Sequence, residues 1–163
     1  MPLTPSFTLL VQSFFEQHLV AERGLSPNTI LSYRDTLRLL LGYLSEQLER
    51  APDHLTLEDF DAARIRQFLE SLETLRQSKA RTRNQRLAAI KAFFGYVASR
   101  APEHLDRCRQ IRDISAKRVE HSAIHYLEEA DMAAILGGVD PFSPDVLRDK
   151  ALLTLMYNTG ARV

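Results

Sequence analysis

The sequence predicts an all-α protein, on three observations. Through the first hundred residues apolar side chains recur at three- and four-residue steps, the period of a helix face. Almost nothing before Pro102 alternates with the two-residue period of a strand. The periodic runs are also bounded by helix signals: Ser26-Pro27 and Asp61 at starts, Gly24 and Ala51-Pro52 at ends.

The first predicted helix covers Phe7–Arg23, with Phe7, Leu10, Val11, Phe14 and Phe15 on its apolar side and Gly24 as a left-handed stop. The second opens at Ser26-Pro27, a cap followed by proline at the first helical position. Ile30, Tyr33, Leu37, Leu40, Leu41, Leu44 and Leu48 then repeat at helical spacing to about Glu49. A third, shorter helix runs from about Asp61, its cap, to Leu72, burying Ile65, Phe68, Leu69 and Leu72. The fourth, Ser78–Arg100, has two chemistries, with Ser78 suited to the cap. Ala80, Leu87, Ile90, Phe94 and Val97 form a stripe that must be buried, while Ser78, Arg81, Thr82, Gln85 and Ala89 fall opposite. Arg83, Arg86 and Lys91 flank the stripe on stems long enough to carry their charges outward. Ala88, Ala89 and Ala92 would let the helix lie close to a large flat partner.

Residues 1–101 therefore read as one four-helix unit. Pro102–His125 is polar and weakly periodic, which predicts a linker or extended connection. A second unit is expected over 126–163, with a short helix Glu128–Leu136 and another from Ser143-Pro144 to about Asn158. Leu147, Ala151, Leu152, Leu153, Leu155 and Met156 leave that last helix apolar nearly all round, the pattern of a helix covered on every side. The sequence stops five residues later, so this unit is expected to be incomplete.

The formal net charge of zero hides strong segregation. Met1–Leu75 carries six Lys/Arg against eleven Asp/Glu, Arg76–Arg118 twelve against three, and Val119–Val163 three against seven. A basic helix face is often only a solvated surface, but a net of +9 confined to the middle segment favours a polyanionic partner. The single cysteine, Cys108, excludes an internal disulfide and fits a reducing compartment. The start lacks a basic leader region, and no apolar run approaches membrane-spanning length, so a cytoplasmic protein without a membrane partner is expected. There is no Gly-rich phosphate loop or GxSxG, and neither a cofactor nor a small-molecule substrate is expected. His121 and His125 stand four apart, but only Cys108 or Glu128 offers a third ligand, so no metal is expected either.

Two stretches carry a family resemblance. Leu25–Leu44, LSPNTILSYRDTLRLLLGYL, and Thr82-x-Asn84-x-Arg86-Leu87-x-Ala89-Ile90-Lys91-x-Phe93-Phe94-x-Tyr96 resemble the second and fourth helices of the core-binding domain of Xer-like tyrosine recombinases, the phage integrase family. Arg148–Arg162, RDKALLTLMYNTGAR, is similar to the helix and turn that carry the family's first catalytic arginine. The resemblance implies a SAM-like four-helix domain, a polar linker and the start of a mainly-α catalytic domain. It implies conservative DNA recombination and integration, in which a tyrosine attacks a scissile phosphate. Arg162 would be the catalytic arginine, its planar fork suited to two non-bridging phosphate oxygens. The lysine, the His-x-x-Arg motif and the nucleophile would follow Val163, so an amino-terminal fragment inactive by itself is expected.

What remains is DNA binding. The resemblance turns the second and fourth helices toward the major groove of double-stranded DNA, with Asn28, Thr29, Ser32 and Arg34 on one and Lys79, Arg81, Thr82, Gln85, Arg86 and Lys91 on the other. Most would touch phosphates and a few would read base edges. Other recombinase protomers are the further expected partner. A helical protein–protein adaptor and a catalytically dead regulatory fragment are the competing readings, since fold does not fix function.

Overall fold

The computed structural model describes residues 6–119, 128–138 and 144–160. The chain divides into two compact units, Met1–Val119 and Glu120–Val163. Every described element is helical, and no strand occurs among the described residues.

In the first unit α1 (Phe7–Ser13) starts at Ser6, whose hydroxyl accepts from the Leu9 amide, and continues without a break into a π-wound segment, Phe14–Glu22. The wider winding has a packing consequence. Phe14 and Leu19 are both buried, yet five residues apart on an α-helix they would diverge by about 140°. Bonds of the i→i+5 type bring such residues toward one face. Gly24, at φ +54°, then reverses the chain as expected.

Helix α2 (Pro27–Leu48) follows the Ser26 cap, whose Oγ accepts from the Thr29 amide at 3.3 Å, and stops at Glu49 in the left-handed region. Two short 3₁₀ turns, Pro52–His54 and Leu57–Asp59, bury Leu55, Leu57 and Phe60 on the way to α3 (Ala62–Thr74). Asp61 caps α3 by accepting from the Arg64 amide at 2.8 Å. Helix α4 (Ala80–Arg100) begins two residues later than expected: Lys79 occupies the cap position, and the Ser78 amide donates instead to the Leu72 carbonyl at 3.0 Å.

The core lies where α4 meets the other helices. Leu87, Ile90, Phe94 and Val97 are buried as expected, joined by Phe93 and Tyr96. Phe14, Phe60, Phe93 and Phe94 form a ladder of ring contacts with centroids 5.2–5.7 Å apart. Burying each such ring is worth about 1.5–3 kcal/mol. Ala80 is half-buried, and Ala89, expected on the open side, is 1% exposed, on the flank of α4 whose Gln85 and Arg86 bond to α2.

The largest departure lies after Pro102. In place of an extended connection, a 3₁₀ turn (Pro102–His104) leads into α5 (Leu105–Arg112), which packs on α4. Cys108, Ile111 and Ile114 enter the core at three-residue steps. Arg107 donates to the carbonyls of Leu57, Glu58 and Phe60. Three apolar residues among many charges are enough to seat a short helix when a cation also caps the carbonyls it lies against.

In the second unit, α6 (Glu129–Gly137) begins with a capping box between Glu128 and Asp131, and α7 (Pro144–Thr159) is followed by Gly160 at φ +64°. Leu147, Leu152 and Leu155 of α7 are at least half exposed. His121, His125, Tyr126, Ser143 and Arg162 lie outside the described residues. Among the described residues no group of His, Cys, Asp and Glu could hold a metal ion, and no helix is long and apolar enough to cross a membrane.

Candidate nucleic-acid interface

Sorting the basic middle of the chain by what each cation touches separates structure from surface. Arg83 is 7% exposed, pressed beside Asn84 (3.2 Å) and Glu73 (3.8 Å), so the expectation that it swings outward is corrected. Among the described residues its Nε is buried without a hydrogen-bond partner, and the Glu73 carboxylate compensates its charge. Lys117 pairs bidentately with the same carboxylate at 2.8 and 2.9 Å. Arg100 pairs with Glu22 at 3.4 Å and sits over the Tyr96 ring, and Arg107 is spent on carbonyls. The side chains of Arg76, Lys79, Arg81, Lys91, Arg109 and Arg112 carry no hydrogen bond or ion pair among the described residues.

Helices α2 and α4 are joined by polar contacts at three of the sequence-predicted positions, Ser32, Gln85 and Arg86. Gln85 Nε2 donates to Ser32 Oγ at 3.0 Å. One turn along α2, Thr36 is fully buried; its hydroxyl donates to the Ser32 carbonyl at 2.8 Å and accepts from Arg86 Nη1 at 3.1 Å. Burial lowers the Arg86 pKa most, with Asp35 opposing and Arg76 reinforcing, and the guanidinium remains charged. Arg86 is thus half-buried and anchored, while Arg81, Thr82, Gln85 and Lys79 are exposed beside it.

On α2, Asn28 is exposed, and Thr29 is half-buried with its hydroxyl against Ser26 Oγ at 2.9 Å. Asn28, Thr29 and Ser32 lie within about 100° of one another around the helix. Two predicted residues stand apart. Arg34 is exposed but about 160° around α2 from Ser32, and Lys91 is about 120° around α4 from Gln85, on the α5 side.

Sequence reasoning passed over Thr36, a hydroxyl among Tyr33, Leu37 and Leu40 on an otherwise apolar stripe, which was the available signal. It also gave Asn84 no role. The Asn84 amide donates to the Lys117 carbonyl at 2.7 Å and accepts from the Lys117 amide at 2.9 Å, pinning the chain after α5 to α4.

The resulting surface is a polar strip, Arg81 and Gln85 in line with Ala88 and Ala92, bordered by the start of α2. Gln85 spends one N–H on Ser32 and keeps another N–H and Oε1, the pair with which an amide reads adenine. The free cations suit phosphates.

A family model described as "Phage integrase, N-terminal SAM-like domain" matches residues 12–101. The chain is 36% identical to a putative integrase/recombinase, y4rD, of Sinorhizobium fredii over 154 residues, 94% of this chain and 55% of that protein. It is 37% identical to a second, y4rC, from the same organism, over 97% of this chain and 48% of the relative. Tyrosine recombinase XerD of Ralstonia nicotianae is 32% identical over 166 residues, 100% of this chain and 49% of that protein. The chain spans about half the length of the curated relatives it matches. No solved structure matches it.

Proposed function

The chain belongs to the phage integrase family of tyrosine recombinases, and from that membership we propose that its first unit binds double-stranded DNA through the α2–α4 face. The observation that carries the reading is the pair of bridges Ser32–Gln85 and Thr36–Arg86. They hold residues from two distant sequence stretches on one surface, beside the unpaired Lys79 and Arg81. Asn28, Thr29, Lys79, Arg81 and Arg86 act on phosphates in this reading, and Ser32, Thr82 and Gln85 face base edges. Arg34 and Lys91, being on other sides of their helices, would meet only the flanking backbone.

The reaction served is site-specific recombination or integration of DNA, as the relatives' names suggest, in the cytoplasm where that DNA lies. Arg162 is proposed as a phosphate-binding catalytic arginine, to act together with residues supplied elsewhere in a complete recombinase. The exposed leucines of α7 support association with protein, and other recombinase protomers are the proposed partners.

A salt titration of duplex binding tests the DNA reading. Each phosphate-contacting cation removed should flatten the log–log slope by about one unit. Arg81→Ala with Arg86→Ala should therefore flatten it by about two and weaken binding, with the circular-dichroism melt reporting that the fold survives. Unchanged affinity and slope would refute the assigned face and leave the adaptor reading.

A further inference from the structure

We propose that Lys91, Arg109 and Arg112 form a second phosphate-binding ledge, on the flank of α4 opposite α2, which grips the other wall of the groove that α4 occupies. The inference rests on the DNA-binding reading above and extends it to a helix that neither the sequence reading nor the family match covers; the matched region ends at residue 101.

Three observations place the ledge. Lys91, Arg109 and Arg112 line one open concavity of about 570 Å³ between α4 and α5, together with Asp106 and Asp113. None of the three cations has a hydrogen bond or ion pair among the described residues, so all three charges remain available. Arg112 is also laid across α4: its Nε lies 3.8 Å from where a Cβ on Gly95 would stand.

Groove geometry supplies the reason for a second ledge. An α-helix is about 10–12 Å across and the major groove about 12 Å wide, so a helix lying in it has a sugar–phosphate strand on each side. The exposed strip of α4 runs through Arg81, Gln85 and Ala88 and ends at the half-buried Ala92. Lys91 stands about 90° round the helix from that strip, toward α5, while α2 borders the other side. The two carboxylates bear on which anion fits. Three cations against Asp106 and Asp113 leave a small surplus in an open concavity, poorly suited to a compact free phosphate ion. It suits a strand that carries one charge about every 3.4 Å and releases counterions as it binds.

The test compares the intact chain with Arg109→Gln/Arg112→Gln and with Arg109→Ala/Arg112→Ala in duplex-binding titrations from about 50 to 200 mM salt. The glutamine pair keeps much of the side-chain packing, so a folding defect confined to the alanine pair is recognised. Both pairs should flatten the slope by about two units and weaken binding equally on unrelated duplex sequences. If the intact chain binds duplex with a steep slope and the glutamine pair binds identically, the ledge is refuted while the DNA reading stands. Absence of salt-dependent binding by the intact chain refutes both. Inorganic phosphate offered alone distinguishes the remaining source: its binding at these arginines, with no effect of the variants on the DNA slope, would also overturn the proposal.

Discussion

At the scale of single residues, the placement of a charge depended on a partner that helical periodicity does not reveal. Arg83 and Arg86 both flank the apolar stripe of α4, yet Glu73 from α3 draws Arg83 into the interior, whereas Thr36 holds Arg86 at the rim. A helical wheel sees one helix; these fates are decided by the next. Cys108 illustrates the same limit, since it stands between Arg107 and Arg109 and nothing local in the sequence marks it as buried. It is instead 1% exposed, and its pKa is raised, chiefly by burial, against the opposing pull of Arg107 and Arg112. Raising a thiol's pKa on folding stabilises the protein below the unfolded value of about 8.5, and that contribution is lost as pH climbs through the folded value. Alkylation of the native protein at neutral pH should therefore be far slower than alkylation in denaturant, with Cys108→Ala lessening the loss of stability at alkaline pH. Equal rates in the two states would show that the thiol is accessible.

At the scale of elements, α2, α3 and α4 were legible to within two residues because capping chemistry and periodicity agreed: Ser26-Pro27, Asp61 and the leucine and phenylalanine repeats. Helix α5 was not, because only Cys108 and Ile111 mark its buried side. The π winding after Ser13 also left no local signature beyond the five-residue spacing of Phe14 and Leu19. Asn84 belongs to this scale. Its side-chain amide imitates a strand partner for Lys117 and ties the segment after α5 to α4 from 33 residues away. Two hydrogen bonds at about 1 kcal/mol each put the cost of Asn84→Ala near 2 kcal/mol. The variant should also be cut by trypsin after Lys117 and Arg118 markedly faster, read by mass spectrometry of the earliest fragments. Unchanged cleavage at those two bonds would mean that the amide does not restrain this segment.

At the scale of the molecule, the all-α architecture followed from repetition across many positions, so errors at Ala89, Arg83 and Ser78 did not disturb it. The proposed interface is more exposed to such errors, because it depends on which way a few side chains turn. Ser32, Gln85 and Arg86 do share one side of the first unit; Arg34 and Lys91 do not join them. The central claim is that duplex DNA meets this first unit along α4, between α2 and the α5 ledge. Backbone amide chemical-shift mapping of the chain on addition of duplex DNA tests it most directly. The predicted result is a contiguous set of shifts over Asn28–Ser32, Lys79–Arg86 and Arg109–Arg112, with the outer side of α3 around Glu70 unmoved. Shifts centred on α3 or α1, with the Lys79–Arg86 amides silent, would contradict the account.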